Sequence, residues 1–194
     1  MAASAHSGSL LFLAEGEEVS SPSTSFKIEY LLGQGSFSLV YLARTLNSSR
    51  REVALKVIRA SPSYRAASER ERDILVLCGA QSGAAASRVR VGELLESFDH
   101  CGHLVLVLPR YGQSLFQCMR DNKFAGSPLS LSQKLLADML PVLSFLSSKS
   151  IIHCDVKPEN ILFIDPSRAS SGFVLVDFGS ASATLPTSKL PQYM

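Results

Sequence analysis

From Phe26 onward the chain breaks into short apolar runs separated by turn-forming residues: FKIEYLLGQG, SLVYLARTL and EVALKVIRA. Runs of this length, rich in aliphatic residues and punctuated by glycine and polar residues, predict three strands in an antiparallel meander. The charged stretch ASERERD then precedes Ile74, Leu75 and Leu77, so the segment from about Ser63 to Leu77 reads as one amphipathic helix with a wet first half. VRVGELLESF and HLVLVLPR, joined by the DHCG turn, add two strands and complete a five-stranded sheet with one helix.

After Gly112 the pattern becomes helical. SLFQCMRDNK reads as a short helix, and a longer one begins near Ser130, where Ser130 and Gln133 have the spacing of a capping box. Leu135, Leu136, Met139, Leu140, Leu143 and Leu146 form a broad apolar stripe along it. Pro141 predicts a bend, because an interior proline removes a backbone hydrogen bond and costs about 3 kcal/mol. Residues 1 to 25 are Ser- and Ala-rich with Glu15, Glu17 and Glu18, and they show neither helical nor strand period, so a disordered tail is expected there.

With 46% hydrophobic and 19% charged residues among 194, the chain can build a core. The net charge of +2 comes from near-equal acidic and basic counts, with Arg65, Arg70, Arg72, Arg88 and Arg90 scattered among neutral and acidic residues. Neither a nucleic-acid nor a membrane partner follows from that distribution. The apolar patch Leu10 to Ala14 has no preceding positive charge, and no stretch approaches the roughly 18 apolar residues of a membrane span, so neither signal peptide nor anchor is expected. Cys78, Cys101, Cys118 and Cys154 lie far apart without a CxxC pair, which fits reduced thiols and an intracellular location in cytoplasm or nucleus.

Three segments carry chemistry. Gly33-Gln34-Gly35-Ser36-Phe37-Ser38-Leu39-Val40 forms a turn between strands, and its glycines let backbone N–H groups approach phosphate oxygens; a plain hairpin explains the same residues equally well. VALK places Lys56 on the next strand, and the following helix offers Glu71 as its partner with Glu69 as competitor. Glu71 is preferred because E-x-x-I-L sets Leu75 one turn further along the same face. The third segment is His153-Cys154-Asp155-Val156-Lys157-Pro158-Glu159-Asn160, followed by Asp177-Phe178-Gly179 at the end of a second apolar run. His100, Cys101 and His103 read as a tight strand connection, since zinc needs about four ligands and this turn offers three. Thr184, Thr187, Ser188 and Tyr193 are hydroxyls in a polar loop, none of which stands out for modification.

HxDxKxxN and DFG, in order behind the glycine turn, the strand lysine and the helix acid, resemble the eukaryotic protein-kinase family over residues 26 to 194. The resemblance implies an α+β fold, with an N-lobe over residues 26–111 holding a five-stranded antiparallel sheet and one helix, and part of a mainly helical C-lobe over 112–194. It implies transfer of the γ-phosphoryl group of Mg-ATP to Ser/Thr hydroxyls of protein substrates. Lys56, held by Glu71, would meet the α- and β-phosphates; Asp155 would orient the acceptor hydroxyl and take its proton; Lys157 would screen the γ-phosphate; Asn160 and Asp177 would hold Mg²⁺. Gly33, Gly35, Ser36 and Phe37 would line the phosphates. Val40 and Ala54 would lie above adenine and Leu162 below it, with Leu108 as gatekeeper and Pro109 and Tyr111 offering backbone groups. Leu75, Leu94, His153 and Phe178 resemble the apolar column that links the lobes of such proteins.

Several residues depart from the family pattern. Cys154 stands where arginine is commoner, and with GQSL and VDFGSA it resembles the CMGC group, near the dual-specificity tyrosine-regulated and homeodomain-interacting kinases. Ser38 replaces the third glycine of the turn, and Leu190 in KLPQYM occupies a position where the family has threonine or serine. The chain ends at Met194, where an APE motif would begin. Weak or no phosphotransfer by the chain alone is therefore expected, with a truncated nucleotide- or protein-binding module as the alternative.

Overall fold

Alternation along the apolar runs gives each strand two faces, and the two faces bury different neighbours. The computed structural model describes residues 10–79 and 89–183. It divides into two units, Met1–Arg72 with Glu93–Arg110, and Asp73–Gly92 with Tyr111–Met194.

The first unit is built on a six-stranded antiparallel sheet of β1 (Glu18–Ser20), β2 (Ser25–Gln34), β3 (Ser38–Thr45), β4 (Glu52–Ile58), β5 (Glu96–His100) and β6 (His103–Pro109), in the order β1-β2-β3-β4-β6-β5. One face buries Phe26, Ile28, Leu39, Tyr41, Leu55, Val57, Val105 and Val107. On the other face Ile58, Leu104 and Leu106 pack with Tyr64 from α1 (Pro62–Gly79). Lys56 follows the same alternation as Ile58 along β4, so it shares that second face.

The expected tail is a correction. Within residues 10–25 the chain runs along the sheet rather than away from it: Leu13 and Val19 join the core cluster, and Val19 is fully buried. The Leu13 amide donates to the Tyr41 hydroxyl at 3.0 Å, and the Gly16 amide to the Ile28 carbonyl at 2.8 Å. The physical reason is the apolar face formed by Leu39, Tyr41 and Leu55, which needs cover. β1 adds to the sheet edge with Val19 opposite Phe26, which makes six strands of the expected five. The fourth expected strand, VRVGELLESF, is also shorter than its apolar run: Val91 makes only an isolated bridge to Leu175, and β5 begins at Glu96.

In the second unit, α2 (Leu115–Asp121) starts at Ser114, whose hydroxyl accepts from the Gln117 amide. α3 (Leu129–Ser148) packs against β9 (Arg168–Leu175), which pairs with β8 (Ile161–Asp165). A second short pair joins β7 (Ile151–Ile152) to β10 (Ser182–Ala183). The expected capping box at Ser130 does not form: Pro128 is the N-cap and no side chain caps the helix. Ser130 is thereby moved inside the first turn. Pro141 lies on an exposed position and the helix runs through it as one element.

By length and composition α3 is apolar enough to cross a membrane, a property the residue pattern did not lead one to expect. Its buried positions include Asp138, whose Oδ2 accepts from the Phe173 amide at 2.9 Å. Arg90 donates to the Ser171 carbonyl at 2.9 Å and places its Nε 3.4 Å from Asp138 Oδ1. Between them sits Gly172 at φ +102°, where a Cβ would come within 1.8 Å of the Arg90 guanidinium. The acid thus ties α3 to the β8–β9 hairpin.

Candidate active site

Two sets of candidate residues form, one in each unit. In the first unit, Lys56 Nζ lies 2.7 and 2.8 Å from the two carboxylate oxygens of Glu71. Glu71 is almost fully buried, and the Lys56 side chain is 14% exposed. Strand register carries the lysine to this place, with Val40 and Leu106 as its cross-strand neighbours. The competitor, Glu69, pairs instead with Arg65 at 2.9 Å, and Arg65 also holds Asp99.

The glycine turn closes the β2–β3 hairpin, with Gly33 opposite Val40 and the Gly35 amide donating to the Ser38 carbonyl at 2.9 Å. Ser36 is exposed at its tip, and Phe37 is 57% exposed. The Phe37 ring nevertheless meets Tyr64 of α1, with centroids 4.9 Å apart. Tyr64 was not among the residues singled out from sequence; an aromatic in the first turn of the helix, seven residues before Glu71 and so on nearly the same face, is the signal that could have found it. Ala54 is buried on β4 opposite Leu108, and Pro109 ends β6 opposite Val53.

In the second unit, Asp155, Lys157 and Asn160 form one hydrogen-bonded cluster. Lys157 Nζ sits 2.8 Å from Asp155 Oδ2, and Asn160 Nδ2 donates to the same oxygen at 3.0 Å and to the Asp155 carbonyl at 2.9 Å. The hydrogen bond from Lys157 first, and that from Asn160 after it, hold the Asp155 carboxyl below the usual carboxylate range. Asp155 in turn raises the Lys157 ammonium. A short 3₁₀ turn, Pro158–Asn160, presents the asparagine, which is 6% exposed.

His153 braces this loop from beneath. It is buried, stacks edge-on against Phe178 at 4.6 Å, and has Nε2 3.1 Å from the Val176 carbonyl. Its Nδ1 accepts from the Asp155 amide at 3.3 Å. Two non-glycine residues of these segments, Cys154 and Asp177, have φ +64°. Such left-handed backbone outside glycine persists only where surrounding contacts impose it, and it concentrates at functional sites. Asp177 heads the 3₁₀ turn Phe178–Ser180.

Leu162 lies on β8, bridged to Ser114, and Tyr111 belongs to the same unit. A hollow of about 500 Å³ on this unit is lined by Leu143, Leu146, Ile151, Ile152, Cys154 and Val156, and it includes neither Asp155 nor Asn160. Of the column residues, Leu75 and Phe178 are buried, and Leu94 packs with the Ile58 cluster. His103 is buried with Nδ1 2.7 Å from the Ile58 carbonyl, and Cys101 and Gly102 make the adjoining turn at positive φ. Thr184, Thr187, Ser188, Leu190 and Tyr193 lie outside the described residues.

A family model described as protein kinase domain matches residues 26–194. Homeodomain-interacting protein kinase 2 of Mesocricetus auratus is 32% identical over 170 residues, covering 88% of this chain and 14% of the relative. Serine/threonine-protein kinase SRPK of Physarum polycephalum is 36% identical over 144 residues, covering 72% of this chain and 33% of the relative. The chain thus spans a minor part of the length of these relatives. A crystal structure of a kinase domain matches with a TM-score of 0.80 at 23% identity, over 90% of this chain and 55% of that one, a likeness of fold.

Proposed function

Because the chain belongs to the protein kinase domain family, we propose that it binds Mg-ATP and supplies the catalytic residues for phosphoryl transfer to Ser/Thr hydroxyls of protein substrates. The observation that carries this reading is the cluster in which Lys157 and Asn160 both converge on Asp155 Oδ2.

A carboxylate held below its usual range stays ionised at neutral pH and keeps an acceptor oxygen for a hydroxyl proton. Asp155 would align the Ser or Thr oxygen with the γ-phosphorus and take its proton as the new P–O bond forms and ADP leaves. Lys157 would exchange its bond to Asp155 for the transferring phosphoryl oxygens. Lys56, oriented by both oxygens of Glu71, would meet the α- and β-phosphates. The glycine turn, Gly33 to Phe37, would enclose the phosphates, and Val40, Ala54, Leu108, Pro109, Tyr111 and Leu162 would surround adenine.

The metal site fits the residues present. Mg²⁺ takes one or two protein oxygens and completes its shell with water and phosphate oxygens, so Asp177 and Asn160 suffice as its protein ligands. Asn160 spends its amide nitrogen on Asp155 and keeps its amide oxygen for the cation. Bound there, Mg²⁺ would neutralise charge on the β- and γ-phosphates. The four free thiols support an intracellular setting.

The test is transfer of radiolabelled phosphate from Mg-ATP to a Ser/Thr-rich acceptor protein, comparing the parent chain, a longer protein containing it, and Asp155→Asn in each. Transfer lost with Asp155→Asn supports the reading. Nucleotide binding with no Asp155-dependent transfer in either form would assign a nucleotide-binding module instead.

A further inference from the structure

The tip of the glycine turn meets the rest of its unit at Phe37. The Arg59 amide donates to the Phe37 carbonyl at 2.9 Å, and the Phe37 ring meets Tyr64. Tyr64 is anchored from below, where it packs with Ile58, Leu104 and Leu106, and the Arg59 guanidinium lies 6.0 Å from its ring centroid. It is a partly buried platform that carries a mostly exposed phenylalanine.

Tyr64 and Glu71 are seven residues apart on α1, which is two helical turns and therefore nearly the same face. One face of one helix thus holds the tip of the turn through Tyr64 and the strand lysine through Glu71.

We infer that Tyr64 is a positioning residue: it sets the height of the glycine turn by clasping Phe37, and so tunes affinity for the phosphates of the nucleotide. The inference rests on the nucleotide-binding reading above. It requires that the clasp and the Lys56–Glu71 pair move together, since both are borne by α1.

The experiment combines calorimetric titration of Mg-ATP with amide exchange in the nucleotide-free chain, for Tyr64→Ala, Tyr64→Phe, Phe37→Ala and the double alanine variant. An aromatic pair of this kind predicts a loss of affinity of about three- to tenfold in each single alanine variant. The double variant should lose no more than either single one, and Tyr64→Phe should stay within about twofold of the parent. In the free chain, exchange at the Gly35 amide should quicken in Tyr64→Ala and Phe37→Ala alike, with exchange in β4 and β6 unchanged. Additive losses of affinity, or unchanged exchange at Gly35, would overturn the inference. Should the parent chain fail to bind Mg-ATP, the functional reading falls, and exchange at Gly35 alone decides whether the clasp exists.

Discussion

Lys56 Nζ bridges both oxygens of Glu71, at 2.7 and 2.8 Å, and the carboxylate is almost wholly removed from water. A buried charge pair is worth little over an apolar pair of the same shape, yet removing one partner strands the other. Lys56→Met should therefore lower the unfolding free energy by about 3 kcal/mol, and adding Glu71→Leu should recover most of that loss. Urea denaturation of the two variants beside the parent checks the pair, and a single mutant as stable as the parent would show the carboxylate to be solvated.

Gly172 occupies a backbone conformation that side chains rarely adopt, and a Cβ there would collide with Arg90 and with Asp138 Oδ2. Gly172→Ala should cost more than about 1 kcal/mol from the backbone alone. Asp138→Ala should cost about 1–3 kcal/mol by leaving the buried Phe173 amide without its acceptor. Because both changes break the same tie between α3 and the β8–β9 hairpin, the double variant should fall short of the sum. Thermal unfolding of the three proteins reads this directly.

Val19 is fully buried in the sheet's core cluster. Val19→Ala removes about two buried methylene equivalents and should destabilise the chain by about 1.5–2.5 kcal/mol. A disordered tail would give no change, so the same denaturation curve separates the two descriptions of this segment.

What the residue pattern revealed, and what it hid, follows from the range of the forces involved. β2, β3, β4 and β6 were readable because their alternation is local. Glu71 was separable from Glu69 for the same reason, since helix geometry alone puts the two on different faces, and Arg65 indeed takes Glu69. The segment around Leu13 and Val19 was not readable, because three residues of strand carry no period and their burial depends on an apolar face formed by residues far along the chain. Asp138 was not singled out from the sequence, because its partners, Arg90 and the Phe173 amide, are brought to it only by the fold. Ser130 misled because Pro128 starts the helix before it. In the catalytic segments the polar residues stood out against buried strands, and the hydrogen bonds among Asp155, Lys157 and Asn160 follow the motif spacing.

Burial raises the Cys78 thiol to about 11, with the Lys149 charge acting second and in the opposite direction. The folded chain therefore holds this proton more tightly than the unfolded one, a contribution present below the ordinary thiol range and lost as pH rises through about 11. Alkylation at pH 8 should label the exposed Cys101 and Cys154 well before Cys78, and labelling of Cys78 should accelerate steeply above about pH 10. Equal rates at pH 8 would place that thiol in water.

The proposed function requires that this chain bind Mg-ATP with the help of Lys56, Asn160 and Asp177. Calorimetric titration of ATP, with and without Mg²⁺, into the parent chain, Lys56→Met and Asp177→Asn tests it most directly. Binding in the parent should depend on Mg²⁺, and affinity should fall at least about tenfold in each variant, a difference of roughly 1.4 kcal/mol. Binding of equal strength in all three proteins, or binding indifferent to Mg²⁺, would contradict it.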